Sequence, residues 1–271
     1  MNKTCVRNAT ELLQQEIGLA GRVSLPVYTY KMVDTWTADP DPNANRVVTL
    51  SVLDSTGSPV TGLPGLFAGE KLVIDNGVYE ETVTATPTGT NQITAKFVKP
   101  HPVTGAKVGV SGGFHAGIVP ANTANGSTAW VLKMFGDVNG TGEMVYVEYT
   151  CDVNAGNLYR RSMPIAAVAK PAVTPDLTLL NHIKANPNNA PCFTYQTKNA
   201  NGLTFVTDVA ITLTVETPDP DPITGLVQEQ TKALLNVSPR NVFNVWQLAS
   251  AQMNQRVQPT PPSVTLLLPQ L

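Results

Sequence analysis

From Leu203 to Thr217 the chain reads LTFVTDVAITLTVET, a sustained alternation of apolar and polar residues. A period of two places one side of such a segment against a packed core and leaves the other to solvent, so the run is a strand. PDPDPITG follows, whose prolines and glycine stop a ladder, and QEQTKALLNV then forms a second run ending at Val237. The two runs read as a hairpin, and an isolated hairpin is not stable in water, so further strands must cover it. Candidates are AWVLKMFGD, GEMVYVEYTC, NLYRRSM and CFTYQTK downstream of Ala129, and VVTLSVL, EKLVIDNG, YEETVTAT, NQITAKFV and AKVGVSG upstream of it.

Composition agrees with this β reading. Charged residues are 14% of the 271, against 20 Gly and 22 Pro, the mixture of short strands and punctuated turns rather than of a helical bundle. The 18 basic residues are balanced by 20 acidic ones and form no stripe that could neutralise phosphates, so no nucleic-acid partner is expected. No window approaches the roughly 18 consecutive apolar residues of a membrane helix, and residues 1–20 lack the apolar centre of a signal peptide, so the chain as given reads as soluble.

One helix is predicted near the start, over residues 7–22, RNATELLQQEIGLAGR. Asn8 or Thr10 would cap it, Leu12, Leu13, Ile17 and Ala20 would form its apolar stripe, and Gly21 would end it. Glu11, Gln14 and Gln15 would face water or a neighbouring subunit. The chain then divides into an N-terminal helix (1–26), a β module (27–115), whose run from Arg46 to Gly112 reads as compact, and an antiparallel β head domain (116–271). A loop low in charge, Phe114 to Ser127, separates the two β regions. Leu177 to Ile183 reads as a short helix or turn, SPRNVFNVWQLASAQ as a short amphipathic helix or ordered coil, and the end as extended and proline-rich. The fold class is α+β, mainly β.

Residues able to carry chemistry are sparse. His101, His115 and His182 are scattered without metal-ligand spacing and read as surface or satisfied histidines. No serine occupies a nucleophile elbow, and SGGFHAG (Ser111–Gly117) lacks both the spacing and the following helix of a phosphate loop. With no nucleophile, base and orienter to name, the chain reads as non-catalytic. DVNGTGEMVYVE is the sharpest motif: Asp137, Asn139, Thr141, Glu143 and Glu148 fall near the spacing of an EF-hand loop, so calcium is the one cofactor weighed. Thr141 departs from that pattern, MVYVEY reads as a strand where an EF-hand has a helix, and a hairpin loop closed by Asn139-Gly140 explains the same residues without metal. Cys151 ends one strand-like run and Cys192 begins another, so a disulfide between them would staple neighbouring strands in an oxidising compartment, with Cys5 unpaired; buried free thiols are the alternative.

ATELLQQEIGLAGR, GDVNGTGEMVYVEYTCD, AGNLYR, PCFTYQT, TDVAITLTVET and LLNVSPRNVFNVWQLAS together resemble minor pilins and pseudopilins of the type IV pilus and type II secretion machineries, of a W/J-like prepilin kind. The resemblance covers residues 8–26 and 126–262. Residues 64–115 look more like a small β module that recurs in surface and phage structural proteins. The family implies a pilin-like N-terminal helix packed on an antiparallel sheet, here with an inserted small β module. It also implies a non-catalytic structural or assembly role and other pilin or pseudopilin subunits as partners. The implied location is extracytoplasmic, in the periplasm or at the cell surface, with inner-membrane anchoring before assembly. The leader, peptidase site and apolar helix with which such pilins begin are missing from these 271 residues, so a membrane would be reached only through that missing helix. A phage or cell-surface structural or adhesive β protein is the second reading, and a hydrolase with an unrecognised site the last.

Overall fold

Helix α1 spans Asn2–Leu19 and starts earlier than the cap residues suggest. Thr10 is no cap: its hydroxyl donates to the carbonyls of Val6 and Arg7 inside the helix. The stripe that packs is Val6, Ala9, Leu13, Ile17 and Ala20, whereas Leu12 is only half-buried. The spacing is 3 or 4 throughout, which keeps these side chains on one line along the helix. Gly21 ends the helix with φ +80°, and a Cβ there would lie 2.8 Å from Val242 Cγ2 and 3.1 Å from the Phe114 carbonyl oxygen. The close approach and the left-handed backbone each require glycine. The computed structural model describes residues 2–25, 27–221 and 223–270, and all their side chains except those of 2–5, 234 and 235.

After α1 the chain enters a closed antiparallel barrel. Its strands are β1 (Thr29–Met32), β2 (Arg46–Leu53), β3 (Glu70–Asp75), β4 (Glu81–Gly89), β5 (Gln92–Ala95) and β6 (Ala106–Val110), in the order β1-β2-β5-β4-β3-β6. Alternate residues fill the interior: Val48, Leu50 and Val52 from β2, Leu72 and Ile74 from β3, and Ile93 and Ala95 from β5. Closure gives every strand two partners and removes the exposed edges that a short sheet would present. The barrel therefore takes in β1, upstream of the compact run that begins at Arg46, because β1 pairs with both β2 and β6.

The remaining strands build two antiparallel sheets and a small parallel pair. One sheet holds β8 (Val131–Gly136), β9 (Val145–Asp152), β10 (Asn157–Pro164) and β11 (Thr178–Asn181), in the order β11-β10-β9-β8. The other holds β12 (Ile183–Lys184), β13 (Phe193–Ala200), β14 (Leu203–Glu216) and β15 (Glu229–Val237), with β14 central. The hairpin expected around PDPDPITG is present, with Glu216 opposite Glu229. Helix α2 (Arg240–Ser250) follows it, and β16 (Val257–Gln258) pairs in parallel with β7 (Gly113–Phe114). Altogether 39% of the chain is strand and 16% helix, which makes the fold mainly β with an N-terminal helix and antiparallel sheets.

Two local expectations need correction. Of Leu177 to Ile183 only Leu177 is helical, as the last residue of a single 3-10 turn (Pro175–Leu177); beyond it β11 pairs with the edge of β10, and β12 pairs with β14, because Leu180 and Ile183 find burial there. The proline-rich end is not wholly extended: Pro262 stands at the first turn of the short helix α3 (Pro262–Leu267), where its fixed φ suits a helix start, and Val264 and Leu267 are buried beneath it.

α1 lies in the seam between the two sheets. Its stripe packs with Leu132, Met134, Val147 and Tyr149 of the first sheet and with Val209, Ile211 and Leu213 of β14. The barrel is joined to this body by Gln258, which is fully buried. Its side-chain oxygen accepts from the Lys71 amide at 2.9 Å, and its amide group donates to the carbonyls of Lys71 at 2.8 Å and Ser111 at 3.2 Å.

Candidate functional site: the helix and sheet seam

The polar contacts of the seam centre on Glu16, one position before Ile17 and hence on the shoulder of the apolar stripe. It is 2% exposed. The Tyr149 hydroxyl donates to its Oε2 at 2.5 Å, Arg160 Nε donates to the same oxygen at 3.2 Å, and an Arg160 terminal nitrogen donates to Oε1. Tyr149 and Arg160 are opposite one another on β9 and β10. One helical carboxylate thus grips two neighbouring strands by charge-assisted bonds, the strong kind where water is excluded. Burial, and then the Glu16 charge, push the Tyr149 hydroxyl far above its ordinary range, so it stays protonated and donates to Glu16.

A disulfide joins Cys151 at the end of β9 to Cys192 beside β13, with Cα atoms 6.5 Å apart. The bond ties the two sheets together across the core that receives α1. The expectation for Cys5 falls on a side chain outside those described.

The five residues read as a possible calcium set are divided between two places. Asp137 is buried in the turn after β8, and its carboxylate accepts from Thr141 N at 2.9 Å, Gly142 N at 3.1 Å and Ser24 Oγ at 2.9 Å, with Arg22 Nε at 3.4 Å. Asn139, Thr141 and Glu143 lie exposed in the same turn region. Glu148 is elsewhere, opposite Lys133 on β8 and within a cluster of cations. Arg161 binds its Oε1, while Lys170 Nζ at 2.7 Å and Tyr146 Oη at 2.9 Å donate to its Oε2, which lies 3.8 Å from Lys133 Nζ. Burial alone would raise the Glu148 carboxyl, but Lys170 and Arg161 outweigh it and hold it below the usual range. Oxygens committed to amides and ammonium groups in two places do not make one donor set for a hard cation. Among the described residues no group of three or more His, Cys, Asp or Glu could hold an ion.

The histidines are separated as well. His101 is buried in the barrel with Nε2 2.9 Å from Glu81 Oε1, His115 Nδ1 lies 3.2 Å from the Gln258 carbonyl, and His182 is exposed. Sequence reasoning missed Glu16, Arg160 and the cluster around Glu148. Glu16 had a readable signal, since it lies three residues from Leu13 and four from Ala20. Arg160 had none, because its partner is far away in the chain. Comparison with known proteins finds no matching family model, no matching curated protein and no matching solved structure.

Proposed function

We propose that the chain is a non-catalytic structural subunit that enters a type IV pilus-like filament or secretion pseudopilus through α1. The supporting observation is the way α1 is held. An unbroken buried line from Val6 to Ala20 and the Glu16 grip fix one face of the helix to the body, while Arg7, Glu11, Gln14 and Gln15 remain exposed. A helix fixed along one side and polar along the other suits a spine that packs beside other copies. The disulfide fits an extracytoplasmic location, in the periplasm or at the cell surface. Other pilin or pseudopilin subunits are then the partners, and membrane anchoring would come from an apolar helix preceding α1.

The test is to read the coding DNA upstream of Met1 and to express the longest open frame. An in-frame apolar segment of about 20 residues, with the product fractionating in the inner membrane, is the expected result. A stop codon directly before Met1, with a mapped ribosome-binding site, would overturn this reading. The second reading, a phage or cell-surface structural or adhesive β protein, is favoured by the closed barrel with its own core. Trimeric or ring symmetry of the purified chain by light scattering would favour it over the filament.

A further inference from the structure

The turn after β8, GDVNGTG, carries a feature that neither a calcium set nor the seam accounts for: Asn139 is followed by Gly140. In an Asn-Gly pair the glycine nitrogen can attack the preceding side-chain amide, because no Cβ hinders its approach. The chain has four such pairs, at Asn76, Asn125, Asn139 and Asn201, which the sequence alone does not separate.

Attack needs a side-chain amide free to turn toward the main chain, a glycine nitrogen that can leave its hydrogen bond, and room for a five-membered ring. Asn201 lacks the first. Its Nδ2 donates to the Ala249 carbonyl at 2.7 Å and to Asn254 Oδ1 at 2.8 Å, and its Oδ1 accepts from Gln252 Nε2 at 3.2 Å. Asn125 lacks the other two, since Gly126 is buried, its nitrogen donates to the Thr123 carbonyl at 2.9 Å, and a Cβ there would lie 2.1 Å from the Pro120 carbonyl oxygen. At Asn76 the Asp75 carboxylate accepts from the Gly77 nitrogen at 3.1 Å, which sets a negative charge against the atom that must lose its proton.

Asn139 meets all three conditions. It is exposed, as is Gly140, and its side-chain amide has no hydrogen-bond partner among the described residues. The Gly140 nitrogen is held only by a long bond, 3.3 Å, to the Asp137 carbonyl. A Cβ on Gly140 would meet Arg22 Nη1 at 3.8 Å and Leu19 Cδ1 at 3.9 Å, ordinary contacts that leave room for the ring. The Arg22 guanidinium is also a cation beside this nitrogen, and it favours both the anionic nitrogen and the carboxylate that results.

We propose that Asn139 is a site of spontaneous deamidation, through which the turn after β8 converts to an aspartyl or isoaspartyl form. The Gly140 nitrogen gives its proton to a solvent base and bonds to Asn139 Cγ; the Cγ–Nδ2 bond breaks, ammonia leaves, and a succinimide remains. Water then opens the ring, at the side-chain carbonyl to give aspartate or at the main-chain carbonyl to give isoaspartate. The sum is one water consumed and one ammonia released, with no oxidant or reductant. Isoaspartate adds a methylene to the main chain between Asp137 and the Thr141 and Gly142 amides that donate to its carboxylate, so both bonds are disturbed. The Asp137 amide donates to the Arg22 carbonyl at 2.9 Å, which carries the disturbance to the residues that follow α1. The inference is independent of what the chain assembles into.

The test is to incubate the full chain in mildly alkaline buffer, folded and in parallel unfolded in guanidinium chloride, then reduce it, digest it with trypsin and locate the reacted residue by fragment-ion mass spectrometry. The peptide Met134–Arg160 carries Asn139. In the folded chain Asn139 should react faster than Asn76 and about tenfold faster than Asn125 and Asn201, the factor that one retained hydrogen bond sets on a rate. In guanidinium, where only the sequence acts, the four should react at similar rates. The proposal is overturned if Asn139 is no faster than the other three in the folded chain, or if it leads by the same factor in the unfolded one. The consequence is read from melting after incubation. The parent should melt earlier than before, and Asn139→Gln, whose attack would need a six-membered ring, should not. Equal losses in the two would show that the turn does not change through Asn139.

Discussion

Glu16 occupies a helix position that an apolar residue would fill equally well for packing, and its only compensation is the pair it makes with Arg160 and Tyr149. Removing the charge leaves Arg160 facing a neutral, mostly buried group. We expect Glu16→Gln to lower stability in urea unfolding by roughly 3 kcal/mol, the scale seen when one partner of a buried pair is lost. Glu11→Ala, on the exposed face, should stay within about 0.5 kcal/mol of the parent. Equal effects of the two would show that Glu16 is not a grip. A second buried acid gives a pH signature. Glu70 lies on the inner side of β3, where only the Phe67 amide reaches its Oε2 and burial pushes its pKa up to about 8. The folded state therefore holds this proton in a range where the unfolded chain has released it. Its contribution is fully present below the unfolded value near pH 4.5 and declines as pH rises toward 8. Glu70→Gln, which cannot ionise, should flatten that part of the stability profile, and an unchanged slope would rule the assignment out. Of these two acids only Glu16 left a trace in the sequence, through its helical phase; nothing in EKLVID marks Glu70 as more than the first residue of a strand.

At the scale of elements, α1 shows what periodicity can and cannot decide. Leu12 and Leu13 both belong to the predicted stripe, yet only Leu13 is fully buried, because the line through Val6, Ala9, Leu13, Ile17 and Ala20 passes to one side of Leu12. Including Val6 and Ala9 in the window would have set the phase, but a helix predicted to start at residue 7 excluded the first of them. Leu13→Ala and Ile17→Ala should each cost roughly 2–5 kcal/mol by thermal or urea unfolding, whereas Leu12→Ala should cost about 1 kcal/mol. A larger loss at Leu12 than at Leu13 would mean that the helix is rotated from the position described. The hairpin of β14 and β15 was readable because a long alternation and a proline-rich turn give the same answer. LTLLNHI was not, since a short apolar run has no period that separates strand from helix, and its strand character comes from the open edges of β10 and β14.

For the whole molecule, local patterns indicated a β module after the helix but not its closure, which depends on β1 meeting β6 across most of the module's length. Closure has a consequence for how the parts depend on one another. The barrel leaves and rejoins the body at neighbouring points: Arg22 and Gly113 are bridge partners, and the Phe114 amide donates to the Gly21 carbonyl at 2.9 Å. Its interior core is separate from the one that receives α1. Between barrel and body the structure shows the Gln258 bonds, the Lys71 ammonium on the Asn254 carbonyl and the tilted Phe67–Phe114 pair, with ring centroids 5.9 Å apart. We therefore expect a chain in which a short Gly-Ser turn joins Leu25 to Ser111 to fold without the barrel and to keep the Cys151–Cys192 disulfide. Gln258 would lose its Lys71 partners in that variant, at a cost of about 1–3 kcal/mol for a buried polar group left unpaired, so it should melt earlier than the parent but still cooperatively. The excised piece, residues 27–111, should in turn give a β-type circular dichroism spectrum and its own melting transition, because a closed barrel has no unpaired edge that needs the body to cover it. Free thiols at Cys151 and Cys192 in the shortened chain, or the absence of a transition in either piece, would mean that the two cores fold only together.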